Sequence, residues 1–114
     1  MRVLVCGGRN YANRTRLTAV LEDIHYDYGI DSIIEGGATG ADKLASQWAN
    51  ERGISVITVP ADWVSYRKAA GPIRNKKMLT FKPDLVVAFP GGKGTASMVS
   101  IARIAGVPVT EIKD

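Results

Sequence analysis

Residues 1–10, MRVLVCGGRN, carry the apolar triplet Val3-Leu4-Val5 straight to the pair Gly7-Gly8. A short, unbroken apolar run that stops at glycine reads as a strand buried on both faces; a half-exposed strand would alternate polar and apolar residues. The signature recurs along the chain. Ser32-Ile33-Ile34 stops at Gly36-Gly37, Ser55 to Val59 stops at Pro60, Leu85 to Phe89 stops at Pro90-Gly91-Gly92, and Val107 to Ile112 supplies a fifth run. Helical periods lie between them. Leu17, Leu21, Ile24 and Tyr28 share a face of residues 14–28, with Val20 beside them and Gly29 as the stop. Ala41, Leu44, Ala45 and Trp48 share a face of residues 41–52. Gly71-Pro72 opens a helix that runs to about Phe81, and a last helix from about 95 to 105 turns Met98, Ile101, Ala102 and Ala105 inward before Gly106.

Apolar strands joined in turn by helices predict an α/β protein. The expected architecture is a small, doubly wound, Rossmann-like fold: a five-stranded parallel sheet of order 3-2-1-4-5 with helices on both faces. The length of 114 residues suits one domain, 1–114, with no repeat or linker. The longest irregular stretch, residues 60–71, reads as a functional loop.

Composition narrows the classes further. No apolar run approaches the ~18 residues that span a bilayer, and Met1-Arg2 leads directly into a strand without a signal pattern, so no membrane partner is expected. The single cysteine, Cys6, forms no internal disulfide, which points to the cytoplasm of a bacterium, an archaeon or a virus-infected cell. One His and one Cys cannot build a zinc site of such ligands, so no metal site is expected. His25 falls mid-helix, away from the loops, and Cys6 reads as a small buried hydrophobe. A homodimer or higher homo-oligomer would help so small a domain bury surface, but is not required.

The net charge of +4 is unevenly placed. Between Trp63 and Pro83 there is no acid, while Arg67, Lys68, Arg74, Lys76, Lys77 and Lys82 all fall there; elsewhere nine bases face eleven acids. A near-neutral domain with one basic stretch suggests an anionic partner.

In open α/β sheets ligands bind beyond the carboxyl ends of the strands, where strand order reverses. Three runs end there in glycine-rich turns: Gly7-Gly8-Arg9-Asn10, Gly36-Gly37-Ala38-Thr39-Gly40, and Gly91-Gly92-Lys93-Gly94-Thr95. With the expected strand order the three turns line one crevice. Glycine lets backbone N–H groups approach a ligand, and N–H groups at a helix N-terminus cradle anions. Thr39 and Thr95 add hydroxyls and Lys93 adds charge, so the expected guest is a phosphate or diphosphate. Neither G-x-x-x-x-G-K-[ST] nor G-x-G-x-x-G is present, which argues against a P-loop NTPase and an ordinary NAD enzyme. Arg74 and Asn75, just after Pro72, suit a phosphate and a base or ribose hydroxyl. Trp63, Tyr66 and Tyr11 lie where a ring stacks on a base, or simply packs a loop.

Taken together, residues 1–10, Gly36-Gly37-Ala38-Thr39-Gly40-Ala41-Asp42 with Trp48-Ala49, Pro60-Ala61-Asp62-Trp63, Ala70-Gly71-Pro72-Ile73-Arg74-Asn75 and Phe89-Pro90-Gly91-Gly92-Lys93-Gly94-Thr95 resemble the YspA/YpsA-related branch of the SLOG superfamily. The resemblance implies a Rossmann-like fold and a nucleotide or ADP-ribose-related ligand. The turn at Pro90 is similar to that of the LOG phosphoribohydrolases, which cleave the N-glycosidic bond of cytokinin nucleotides; a further relative, DprA, binds single-stranded DNA. LOG enzymes place a catalytic Glu three residues after the Thr of this turn, and here that position is Met98. Glycosidic cleavage needs a carboxylate, and Glu35 or Asp42 would have to supply it.

Three functions follow as expectations. The first is a module that senses or sequesters a phosphorylated nucleotide or ADP-ribose-like ligand. The second is a nucleotide-processing hydrolase using Glu35 or Asp42. The third is single-stranded DNA binding through the basic stretch. No cofactor is required, although Mg²⁺ would suit a diphosphate.

Overall fold

The five apolar runs pair into a single sheet in the computed structural model, which describes residues 1–114. Strands β1 (Arg2–Cys6), β2 (Ser32–Glu35), β3 (Ser55–Thr58), β4 (Leu85–Ala88) and β5 (Val109–Glu111) take the order β3-β2-β1-β4-β5. Every neighbouring pair is parallel. The chain therefore winds outward from β1 to β3, returns across β1 and winds outward again through β4 and β5. Strand order reverses beside β1, the expected position of the crevice.

Alternation along the central strand explains why its triplet is wholly apolar. Val3 and Val5 face a core shared with α1 (Arg14–Tyr28) and α2 (Ala41–Glu51), including Leu17, Leu21, Ala45 and Trp48. Leu4 and Cys6 face a second core shared with α4 (Ala70–Leu79) and α5 (Lys93–Ile104), including Met78, Met98 and Ala102. Both faces are covered, so a polar residue inside β1 would lose its water on either side. No helix is long and apolar enough to cross a membrane.

The structure departs from the sequence expectation in three places. Residues 60–71 are not an irregular loop: α3 (Trp63–Tyr66) and a 3₁₀ turn (Arg67–Ala69) lead directly into α4. Asp62 starts α3 by accepting the Ser65 N–H at 3.0 Å, and Arg67, at φ 50°, breaks it. Pro72 sits in the first turn of α4, where its missing N–H costs nothing. Second, α5 begins at Lys93, so Lys93, Gly94 and Thr95 form a helical turn. Third, α5 ends at Ile104, which leaves Ala105 as an exposed cap outside the core.

Two glycines with positive φ test how closely the loops pack. Gly53 has φ 67° with nothing within 4 Å of where a Cβ would stand, whereas a Cβ on Gly40, at φ 75°, would run into the Gly8 carbonyl oxygen. Gly53→Ala should cost only the left-handed strain, about 1–2 kcal/mol. Gly40→Ala should cost at least twice that in denaturant unfolding. Equal losses would mean that the loops around residues 8 and 40 are not in contact.

Candidate functional site

The strand-end loops are tied together through the backbone of one residue, Gly8. Gly8 donates its N–H to Pro90 O at 2.9 Å, and its carbonyl accepts from Ala41 N at 3.2 Å and Tyr11 N at 3.1 Å. Thr39 adds a side-chain link, its hydroxyl donating to Arg9 O at 3.0 Å. Beyond these ties the strand ends open into a cavity of about 600 Å³ between the β1 loop, α4 and the first turn of α5. A smaller cavity of about 360 Å³ adjoins it, and both are lined by Arg9, Ala38, Trp63 and Arg74. The Arg9 guanidinium lies 5.3 Å from the Trp63 ring centroid, a cation–π contact at the junction of the two.

The three glycine turns, alike in sequence, do different work. In the turn after β2 the first three backbone donors are already engaged. Gly36 and Ala38 both give their N–H groups to Asp42 Oδ2, each at 3.2 Å, and Gly37 donates to Glu35 Oε1 at 2.7 Å. After β4 the reverse holds. The first amide of α5 to find a backbone acceptor is Ala96, which donates to Gly92 O, and no side chain caps the helix. The N–H groups of residues 91–95 are thus left without partners in the chain. Gly92 and Gly94 also have nothing within 4 Å of where a Cβ would stand, and neither has a positive φ. Neither packing nor backbone conformation demands glycine at these two positions; what its absence of side chain provides is access to the amides.

Opposite this turn a hydrogen-bonded chain crosses the cavity wall. Arg74 Nη1 donates to Gly36 O at 2.7 Å and its Nε donates to Asn75 Oδ1 at 3.1 Å. Asn75 in turn reaches Gly94 O at 3.4 Å. Arg74 and Asn75 therefore span from the β2 turn to α5.

Both candidate carboxylates are buried, with different exposures to the cavity. Glu35 binds Gly37 N–H and the Thr58 hydroxyl, the latter at 2.9 Å, and lines neither cavity. Burial raises its pKa, against the pull of Thr58, Gly37 and Arg74. Asp42 lines the larger cavity. Burial pushes its carboxyl up to about 6, helped by the Glu35 charge and opposed by the Ala38 and Gly36 amides and by Arg74. No cluster of three His, Cys, Asp or Glu side chains stands ready to hold a metal. A divalent ion at Asp42 would have to draw its remaining ligands from a bound phosphate and water.

Of the other residues singled out in the sequence, Gly7, Gly8, Lys93 and Thr95 line the larger cavity, and Gly36, Gly37 and Thr39 line the smaller. Asn10, Gly40, Pro90 and Gly91 line neither. Gly40, Pro90 and Gly91 are instead packed against Gly8 in the loop junction. Tyr66 stays outside as well, and Tyr11 packs on Phe89 with ring centroids 5.3 Å apart. His25 is structural: its Nδ1 accepts the Ile30 N–H at 2.9 Å.

The basic stretch divides. Arg74 and Lys68 line the larger cavity, while Arg67, Lys76, Lys77 and Lys82 do not. Lys68 belongs to that stretch but has no motif of its own to mark it. Ser97, one helical turn beyond Lys93, and Met78 also line the cavity, and only the three-dimensional placement of α4 and α5 brings them there. Cys6 and Met98 contribute to the apolar part of the lining, and burial holds the Cys6 thiol up at about 12, neutral and unreactive.

The raised carboxyls have a testable sign. Folded Asp42 holds its proton more tightly than the unfolded chain, so its charge destabilises the native state above about pH 6 and ceases to do so below its unfolded value of 3.8. Asp42→Asn should therefore be stabilised relative to wild type more at pH 7 than at pH 4, by roughly 1–3 kcal/mol. Urea midpoints across this range check it; parallel pH profiles would show that the carboxyl titrates normally.

Two sequence comparisons place the chain among known proteins. The model of the YspA, cpYpsA-related SLOG family matches residues 1–66, which include the turns after β1 and β2. The chain is also 36% identical to the Gene 61 protein of Mycobacterium phage D29 over 122 aligned positions, covering 99% of this chain and 97% of the phage protein. The chain belongs to the YspA, cpYpsA-related SLOG family.

Proposed function

We propose that the protein binds a phosphorylated nucleotide or an ADP-ribose-like ligand in the cleft above β1 and β4, as a sensing or sequestering module. The unpartnered amides of residues 91–95 carry this reading. They open the twelve-residue helix α5, whose dipole favours an anion, and Lys93 stands among them without an ion pair. The adjoining cavity of about 600 Å³ falls within the range of small-molecule sites. Its Cys6, Met78 and Met98 side chains suit an apolar ring, and Trp63 offers a stacking face.

One observation favours a second reading, a nucleotide-processing enzyme. Asp42 lines the cavity with a carboxyl pushed up to about 6, so it exchanges protons near neutral pH as an acid–base group must. Product analysis separates the two: a ligand recovered intact marks a binding module, and free base or ribose phosphate marks a hydrolase.

Gly94 permits a clean test, because a Cβ there has nothing within 4 Å. ADP-ribose, AMP, ADP and NAD are screened by thermal shift; a ligand at ~100 times its Kd stabilises the fold by about 2.7 kcal/mol. Gly94→Val should melt like wild type without ligand and lose that shift. A variant that keeps the full shift, or a wild type that responds to none of the four, would overturn the reading.

A further inference from the structure

We propose that Asp42 makes the cleft select a ribose over a 2′-deoxyribose: its cavity-facing carboxylate oxygen accepts the sugar hydroxyls while Arg74 and the first turn of α5 hold the phosphate. This inference rests on the nucleotide-binding reading above and adds the group that the ligand must carry. The cavity sets opposed charges side by side. Arg9, Lys68, Arg74 and Lys93 give it four cationic side chains, yet Asp42 lines the same space as its one acid. A carboxylate beside an anion site repels the guest unless it meets a hydrogen-bond donor on that guest.

The two oxygens of Asp42 are not equivalent. Oδ2 accepts both amide hydrogen bonds, from Gly36 and Ala38, and Oδ1 accepts none. No fully buried side-chain oxygen in the protein lacks a partner, so Oδ1 is not sealed in. Asp42 is only 7% exposed, and the space it borders is the cavity. An oxygen with two free lone pairs thus meets the ligand site, enough to accept from both hydroxyls of a vicinal pair.

Its orientation is fixed from behind. The amide bonds to Oδ2 set the plane of the carboxylate, and Ala41 N–H on Gly8 O anchors the start of α2. The nearest cation does not neutralise it. Arg74 is held by Gly36 O and Asn75 Oδ1 and forms no ion pair with Asp42. Gly36 lies between them: a Cβ on it would meet the Arg74 guanidinium and stand 3.0 Å from Asp42 Oδ2. Charge and counter-charge are kept apart, each open to a different part of one ligand.

The donor that this arrangement fits is a sugar hydroxyl. Arg74 is tied to Asn75, and Asn75 to Gly94 in the phosphate-facing turn, so the carboxylate stands across a short hydrogen-bonded wall from the anion site. In a nucleotide the hydroxyls of the sugar are the donors next to the phosphate ester, and the amine of the base is farther away. Losing one hydrogen bond to a charged group costs roughly ten- to a hundredfold in affinity.

The test is calorimetric titration of the full chain with ADP, 2′-deoxy-ADP and inorganic pyrophosphate, on wild type and Asp42→Asn. Asn keeps a carbonyl oxygen to accept from Gly36 and Ala38, and a melting curve checks that the variant is folded. Wild type should bind ADP roughly tenfold or more tighter than 2′-deoxy-ADP. Asp42→Asn should bring the two within about twofold and bind pyrophosphate at least as well as wild type, because a repelling charge is gone. Should the variant not fold, the wild-type ratio decides alone. Equal wild-type affinity for the two nucleotides overturns the inference and leaves the binding reading intact, as does a preference that survives Asp42→Asn. Binding of pyrophosphate without either nucleotide also overturns it. Failure of all three probes overturns this inference, and the binding reading falls with it only when ADP-ribose, AMP and NAD fail as well.

Discussion

The backbone N–H and C=O of Gly8 are the constraint on which the cleft depends. Its N–H fastens the turn after β4 and its carbonyl fastens the start of α2, so two helices that leave opposite faces of the sheet are held to one point above β1. The fit leaves no room for side chains. A Cβ on Gly91 would lie 2.7 Å from Gly8 N, and one on Gly40 would enter the Gly8 carbonyl. Much of the glycine in these turns therefore serves contact between loops. What remains, at Gly92 and Gly94, faces open space.

This division of labour explains how much of the protein was legible in its sequence. The elements could be read because the inner strands are apolar runs and the longer helices have a period, both local properties. The sheet order followed from the common doubly wound arrangement of such elements. α3 escaped because four residues are too few to show a period, and its start depends on the Asp62 side chain folding back on Ser65. The site was legible in outline: the turns that line it follow the three adjoining strands, as their positions required. Which turn offers free amides was not legible. Glycine spacing is the same whether an N–H is open or engaged, and only the positions of Glu35 and Asp42 show that the amides of 36–38 are taken. Glu35 likewise could not be told from a cavity carboxylate until Gly37 and Thr58 were seen to hold it.

Charge is organised by the same logic. Of the basic stretch, Arg74 is drawn in by the Gly36 carbonyl and by Asn75, and so becomes part of the wall, whereas Lys76 and Lys77 of the same helix stay exposed. Burial then keeps two carboxyls next to Arg74 without an ion pair, one turned into its own loop and one toward the cavity. The result is a cleft with unpartnered amides at the start of α5 and a hydrogen-bond acceptor on α2. Such a polarity is what the proposed phosphate-ester ligand calls for.

Amide chemical shifts during titration with ADP-ribose test the central claim most directly, that the turn opening α5 holds the phosphate. The amides of Gly92, Lys93, Gly94 and Thr95 should shift first and furthest, while those of Gly36, Gly37 and Ala38, already bonded to Asp42 and Glu35, should move little. Largest shifts at residues 36–38, with residues 92–95 unchanged, would contradict it and place the anion on the other helix.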